Sequence, residues 1–518
     1  MSPDAFNPFT LSVIQSALDS AAEEMFAVLR KTAMSPIIYE VLDVGTGVTD
    51  ATGRLVSSGA GIPTFVGVLD KAVKLIVERH GDSLEAGDVF IANDPNHGGV
   101  THLNDVVIAK PVFFNNECVA WTASIAHWGD IGGKVPGSIA SDVTEIFAEG
   151  LRLPPVRLFN SGKLNTAVFD IIEVNSRLPD FVKGDLWAQV AASNRAEIQL
   201  LSLFEKYGAV TVDAAISAAF NSGRQRALAG LAMLPQGEFG IEEEQDNGKL
   251  WRATITIATD TFSVDLTGNP KDDGGPYNTS RDGAVIACQM IFKALCDPQP
   301  VANFGSFSPL RVITEEGTVF HAGPTAPQGF YFENRIRLLD MLWQCMAKVC
   351  PGRLPAGSFA SIFGTVISGI HPDTKRKFAM VEPQMGGWGA TNERDGLDAM
   401  FSTNHGNTFN CPVEICEARY GLDVVHKQLG KKLSNQTGFS GGAGVSVMYE
   451  ARATASLSVG YTRAKVPVWS LNDQLCGGTN SMTILRASGE NEHHQFASGI
   501  SLEAGDRVLI ETASGGNA

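Results

Sequence analysis

The sequence predicts an α+β fold of several subdomains: an N-terminal region built around a β-hairpin, a helical middle and a β-rich C-terminal region. Three observations predict it. Apolar residues recur at helical spacing near the N-terminus and through residues 165–230. Alternating apolar and polar runs, as half-buried strands show, follow residue 250 and return towards the C-terminus. The length of 518 residues exceeds what one simple core organises. Neither an internal repeat nor a low-complexity linker divides the chain, so the limits, about 1–235, 236–435 and 436–518, are soft.

In chain order, residues 9–34 read as a helix. Thr10 is its N-cap, Leu11, Ile14, Leu18, Met25, Val28 and Leu29 form its stripe, and Pro36 ends it. Residues 37–59 read as two strands joined by a turn at Asp50-Ala-Thr-Gly53. Asp43 lies inside the first strand between apolar Leu42 and Val44, a rare place for a carboxylate. A second helix spans residues 66–80, and VFIAN then leads into the hairpin region. A loop with Gly132, Gly133 and Pro136 precedes a short helix near Asp142 to Ala148, and residues 165–230 are mainly helical. WRATITIATDTFSVDLTG forms two strands, and helices return at about 280–296 and 333–350. A strand in SIFGTVISGI leads to two glycine-rich stretches, QMGGWGATNERDG and FSGGAGVSVMYEARATASLSVGY, the second continuing as strands. So many glycines imply either a tight backbone crossing or a surface where amides meet a ligand or subunit.

Composition narrows the functional classes. An apolar share of 44% and a charged share of 19% suit a well-packed globular protein. A net charge of −16 lacks the basic face that nucleic acid or an anionic membrane requires. No run of 18 apolar residues is present, and MSPDAFNPFT lacks the basic-then-apolar pattern of a signal peptide. Eight cysteines without a C-x-x-C pair give neither a zinc knuckle nor a disulfide framework, which fits a reducing compartment. The expectation is a cytoplasmic protein that binds neither nucleic acid nor membrane.

Residues 91–130 concentrate the chemistry, with His97, His102, His127, Asp94, Asp105 and Asp130 around two apolar runs. If Asn115-Asn116-Glu117 is a three-residue loop, Asp105 opposes His127 and the two side chains share a face about 5 Å apart. A two-residue loop pairs His127 with Asn104 instead, unless a bulge intervenes or His127 lies past the strand. His102 stands three residues before Asp105, so both reach one ion from the turn that enters the strand. Two imidazoles and a carboxylate suit Zn, Fe or Mn better than Ca or Mg. With a fourth ligand from the Asp43 strand, positions remain for a water that such a metal turns into a nucleophile. The competing reading is a structural His–Asp hydrogen bond between neighbouring strands.

Other motifs carry less. Gly438-Phe-Ser440-Gly-Gly442 matches G-x-S-x-G but follows polar residues rather than the buried strand a nucleophile elbow needs. No phosphate-binding glycine loop is recognisable, so the chain shows no ATP site of its own. His493-His494 reads as a solvated turn and His405 as loop hydrogen bonding. Glu414 and Glu417 sit at a helix start, where they favour the dipole whatever the function.

Several motifs, in order along nearly the whole chain, resemble the hydantoinase B/oxoprolinase family. They are YEVLDVGTGVTDATGRLV, NDPNHGGVTHLNDVVIAKPVF, ASIAHWGDIGG, GGWGATNERDG and NCPVEICE. That family includes B-type components of ATP-dependent hydantoinases and caprolactamase, and related acetone and acetophenone carboxylase subunits. The resemblance implies metal ligands at Asp43, His102, Asp105 and His127. It implies an ATP-binding hydantoinase A-type partner in a hetero-oligomer, with ATP used by the partner and bicarbonate as a further co-substrate in the carboxylases. The implied function is the metal-bearing subunit of a cyclic amide hydrolase (hydantoin, lactam or oxoproline type). The alternatives are a ketone carboxylase subunit and a non-catalytic scaffold for the ATP-binding subunit. Two departures stand out: Val44 and Asn96-His97 replace common aromatics, and Val100 is inserted in Gly-Gly-Val-Thr-His. The first brings His97 towards the site, where His97 or Asp130 would assist proton transfer.

Overall fold

The computed structural model describes residues 7–98, 101–272, 274–403, 405–406, 408–433, 438–472 and 476–518. Helix α1 (Pro8–Thr32) buries Ile14, Leu18, Ala21, Ala22, Met25 and Leu29 at helical spacing. Its cap is Asn7, whose side chain accepts from the Phe9 amide, rather than Thr10. Proline at the first helical position sets this start. The predicted first strand begins late. Pro36–Tyr39 forms a helical turn, α2, and Leu42 takes a φ of +66° before β1 (Val44–Asp50) starts. Asp43 therefore precedes the strand rather than lying within it.

Strands β1, β2 (Leu55–Gly61), β3 (Val89–Ala92), β4 (Asp105–Phe114), β5 (Glu117–His127), β6 (Val156–Asn160) and β7 (Lys163–Leu164) form one sheet. Its order is β2-β1-β5-β4-β3-β6-β7. Both faces of this sheet are covered. Val48, Val112 and Ala120 pack with α1 and with α5 (Pro179–Tyr207), whereas Val107, Trp121, Ala123 and Ile125 pack against α3 (Pro63–His80). Such strands read as nearly continuous apolar runs.

The helical middle comprises α4 (Thr166–Asn175), α5 and α6 (Ala209–Leu231). A second sheet, β8 (Gly237–Glu244), β9 (Leu250–Ile257), β10 (Phe262–Asp265) and β11 (Leu310–Ile313), packs with α7 (Arg281–Cys296) and α8 (Tyr331–Val349). Strand β8 has no counterpart in the sequence reading, because its charged GEFGIEEE run lies half exposed. The C-terminal part holds β12 (Gly364–Ile370), β13 (Lys377–Glu382), α9 (Val413–Arg419), β14 (Leu422–Leu429), β15 (Val445–Ala451) and β16 (Ala455–Gly460). It continues with β17 (Ser481–Leu485), β18 (Asn491–His493), β19 (Phe496–Leu502) and β20 (Arg507–Glu511). They form two more sheets, β13-β12-β16-β19 and β14-β15-β20-β17-β18. One core cluster gathers residues from Ala21 to Ile510, so the N- and C-terminal parts share an interior.

The glycine-rich stretches meet there backbone to backbone. A Cβ on Gly387 would fall 2.0 Å from the Gly442 carbonyl oxygen, and one on Gly515 2.0 Å from that of Trp388. The glycines thus serve a crossing of chain segments, the first of the two readings open at the sequence level.

Candidate metal centre

The register of β4 and β5 sets this site. Phe114 pairs with Glu117 around a two-residue turn, Asn115-Asn116, with φ of +51° and +66°. Asparagine tolerates that left-handed backbone, and such turns match strand twist. Two-residue closure alone would put His127 opposite Asn104. A bulge intervenes: Phe113 pairs with Cys118 but Val112 with Ala120, so Val119 is the extra residue and Asp105 comes to face His127. Strand β1 flanks β5 on its other side, and the His127 amide donates to the Asp43 carbonyl at 3.1 Å. Asp43, just before β1, thus stands in one row with His127 of β5 and Asp105 of β4. Their parity is that of Gly45, Val107 and Ile125, which contact α3 or its core.

His102 enters from the turn before β4. Its Nδ1 lies 3.0 Å from the Gly329 carbonyl, which only accepts, so Nδ1 carries the proton. Nε2 is then left pointing at Asp105 Oδ1, 3.2 Å away. Asp105 Oδ2 accepts from the hydroxyls of Thr101 and Tyr331, the latter at 3.1 Å, while Oδ1 accepts no hydrogen bond. Suitable ligand atoms of His102, Asp105 and His127 lie within 4.8 Å of one another, and all three residues are buried. Ligands on opposite sides of a transition metal stand about 4.2 Å apart, given bonds near 2.1 Å. Asp43 lines the same cavity without joining that set.

Charge and burial pull against each other here. Burial and the Asp105 charge raise the Asp43 carboxyl well above its usual 3.8. Burial opposes ionisation of Asp105, but His102, His127 and the Thr101 hydroxyl outweigh it and hold the carboxyl low. For His102, burial favours the neutral ring, yet Asp105 and the Gly329 carbonyl raise it above 6.5. Burial lowers His127 to about 4.

A cavity of about 40 Å³ lies over these residues, lined by Ile62, Phe65, Ile139, Tyr331, Phe332, Arg335, Ile362, Val381 and His405 among others. That is room for an ion and roughly two or three small ligand atoms. Asp43 Oδ1, Asp105 Oδ1 and His127 Nδ1 are buried without hydrogen-bond partners. Three acceptor-type atoms converging unpaired are costly in a metal-free interior and fit a bound divalent cation.

Two predicted residues stand elsewhere. Asp130 does not line the cavity: its carboxylate accepts from the amides of Gly132, Gly137 and Arg177 and pairs with the Arg177 guanidinium at 3.0 Å. All of this shapes the 130–137 loop. His97 is 55% exposed on a surface loop beside Asp94, and Asp94 is itself held by Arg152. Gly99 and the inserted Val100 lie outside the described residues.

Three residues that sequence reasoning passed over, and one it read otherwise, matter here. Tyr331 and Arg335 lie on the first turns of α8, in YFENR, where charge inside a buried helix was the available signal. His405, read as loop hydrogen bonding, lines the cavity with Nε2 unpartnered; burial and Arg335 lower it to about 3. Glu149 accepts from the amides of Gln328 and Gly329 at 3.1 and 2.6 Å, and so fixes the peptide that orients His102. Burial raises Glu149 to about 7.

The family model described as Hydantoinase B/oxoprolinase matches residues 7–517. An uncharacterized protein of Methanocaldococcus jannaschii is 31% identical over 98% of this chain and 90% of its own length. The B-type component of a putative D-/L-hydantoinase from a Pseudomonas species is 30% identical over 95% of this chain and 86% of its own. The crystal structure of the ATP-dependent caprolactamase from Pseudomonas jessenii superposes with a TM-score of 0.91 at 25% identity. It covers 99% of this chain and 91% of that one.

Proposed function

Because the chain belongs to the hydantoinase B/oxoprolinase family, we propose that it is the metal-bearing subunit of an ATP-dependent hydrolase that opens a cyclic amide. The substrate class is a hydantoin, lactam or oxoproline type of ring. A separate ATP-binding subunit activates the carbonyl, since this chain has no phosphate-binding glycine loop. Relatives matched over most of their length are named as subunits or as ATP-dependent enzymes, which supports a partner.

One observation carries the reading: the unpaired buried atoms of Asp43, Asp105 and His127 converge with His102 Nε2 in one cavity. His102, Asp105 and His127 would hold a divalent transition metal, with Asp43 as the fourth ligand. When bound, such an ion supplies a Lewis acid and lowers the pKa of a water towards neutrality. Thr101 and Tyr331 hold Asp105 aimed with one oxygen free, and Glu149 holds the Gly329 carbonyl that sets the His102 tautomer. The apolar walls, Ile62, Phe65, Phe332 and Ile362, exclude bulk water from the reacting carbonyl.

The test is the purified complex with its ATP-binding partner, supplied with ATP and a cyclic amide. Stoichiometric Zn, Mn or Fe and ATP-dependent ring opening are expected, both abolished by His102→Ala. A wild-type protein without transition metal, or His102→Ala with full activity, would leave only a scaffold. Incorporation of labelled bicarbonate into product from a ketone would replace hydrolysis by carboxylation.

A further inference from the structure

Three arginines are among the largest fully buried side chains: Arg335, Arg337 and Arg463. Two are ion-paired to carboxylates, although Arg463 also leaves its Nε unpartnered. Arg337 meets Glu243 and Asp340 at 2.6 and 2.9 Å, and Arg463 meets Glu243 at 3.0 Å and also Asp340. Arg335 differs. It is 1% exposed, gives a hydrogen bond to the Thr64 hydroxyl, lies 5.6 Å over the Tyr331 ring, and has an unpartnered Nε. Among the described residues no carboxylate lies within the 4.0 Å of an ion pair. A buried guanidinium without its anion is strongly unfavourable.

Its surroundings say what the anion is. Arg335 lines the cavity of the candidate metal centre, and the charges of Asp105, Asp43 and Glu333 act on it at longer range. A divalent cation held by Asp43 and Asp105 consumes their charge and leaves Arg335 only Glu333, whose carboxylate is taken up by Ser361, Ile362, Phe363 and Thr462 and forms no ion pair with it. The same cation satisfies the free atoms of Asp43, Asp105 and His127, but not Arg335 Nε or His405 Nε2. The cavity, about 40 Å³, has room for a small group beside the ion. We propose that Arg335, with His405 beside it, is an anion-binding residue that holds a small oxyanion next to the bound metal. The oxyanion belongs to the reacting group, as a bicarbonate, a phosphoryl group or a substrate carboxylate. A guanidinium recognises all three through paired N–H donors. The role given to Arg335 rests on the metal reading of the same cavity.

The test is calorimetric titration of the full chain, loaded with Mn or Zn, with inorganic phosphate, with bicarbonate, and with a cyclic amide with or without a carboxylate. Metal content is measured on every sample. At least one anion should bind the wild type only when metal is present, and which one binds tells the sources apart. Arg335→Gln should weaken that binding by at least ~10-fold with metal content unchanged, and Arg335→Lys, which keeps charge but loses the fork, should fall between. Equal affinity in Arg335→Gln overturns the proposal. So does metal-loaded wild type that binds none of the probes, a result that needs no variant to fold. A wild type that takes up no metal overturns the functional reading instead, so the two failures are distinct.

Discussion

Asp105 spends one carboxylate oxygen on two hydroxyl donors and leaves the other for the cavity. Losing a donor should loosen the ligand without removing it. Tyr331→Phe is expected to lower metal affinity about 10–100-fold, the usual effect of an outer hydrogen-bond partner, and Asp105→Asn by more. Competition with a chromophoric chelator measures both, and equal effects of the two changes would contradict these roles. At this scale the sequence was partly legible. The spacing of His102, Asp105 and His127 is local and could be read. Arg335, Tyr331 and His405 reach the cavity from more than 200 residues away, and Glu149 acts through the Gly329 peptide, so no local pattern shows them.

At the scale of elements, one bulge decides the site. Side chains alternate along a strand, so a shift of one residue turns each to the other face. Deleting Val119 removes only the unpaired residue, so Ala120 still meets Val112 in a now regular ladder and Asp105 still faces the histidine now numbered 127; metal uptake should survive, with the circular dichroism mixed αβ. Lost metal stoichiometry would show that the bulge does more than keep His127 in register with Asp105. A second element-level device joins α5 to the break between α1 and α2. The buried Asp185 carboxylate accepts from the amides of Met34 and Ser35, at 2.7 and 3.1 Å, and from the Ser35 hydroxyl. Burial nevertheless raises it from 3.8 to about 6. The folded chain therefore holds this proton more tightly than the unfolded one. The stabilisation is complete below pH ~4 and is lost as pH rises through about 6, by on the order of 3 kcal/mol at most. Urea midpoints measured from pH 4 to 7 should show that fall, and Asp185→Asn should flatten it.

Across the whole molecule, a buried ionic knot ties three parts of the chain together. Glu243 of β8, Arg337 and Asp340 of α8, and Arg463 after β16 share ion pairs between 2.6 and 3.0 Å, and Trp469 Nε1 donates to Asp340 at 3.1 Å. Burial disfavours the Glu243 charge, but the two arginines win and hold its carboxyl at about 2. Removing one partner leaves buried charge uncompensated. Glu243→Gln should therefore cost about 3–5 kcal/mol, read as a lower denaturant midpoint. Unchanged stability would mean that water enters the knot. The same knot anchors α8, whose first turns carry Tyr331 and Arg335 into the cavity.

The sequence by itself determined the class of fold, most helices and strands, the family, and the identity of the residues that converge in the cavity on the sheet side. Periodicity and motif order are local signals, and they survive without coordinates. It left the hairpin register open between pairings, because a bulge is a balance between turn twist and cross-strand packing that no spacing records. Only the tertiary structure decided which atoms stay unpaired. Asp130, read as a proton-transfer group, is held by its own loop and by Arg177, whereas Arg335, which no local pattern marks, is a buried cation with no carboxylate partner among the described residues. Whether a polar atom has a partner depends on segments far apart in the chain, and those meet only when the sheets, α8 and the C-terminal strands close on one another.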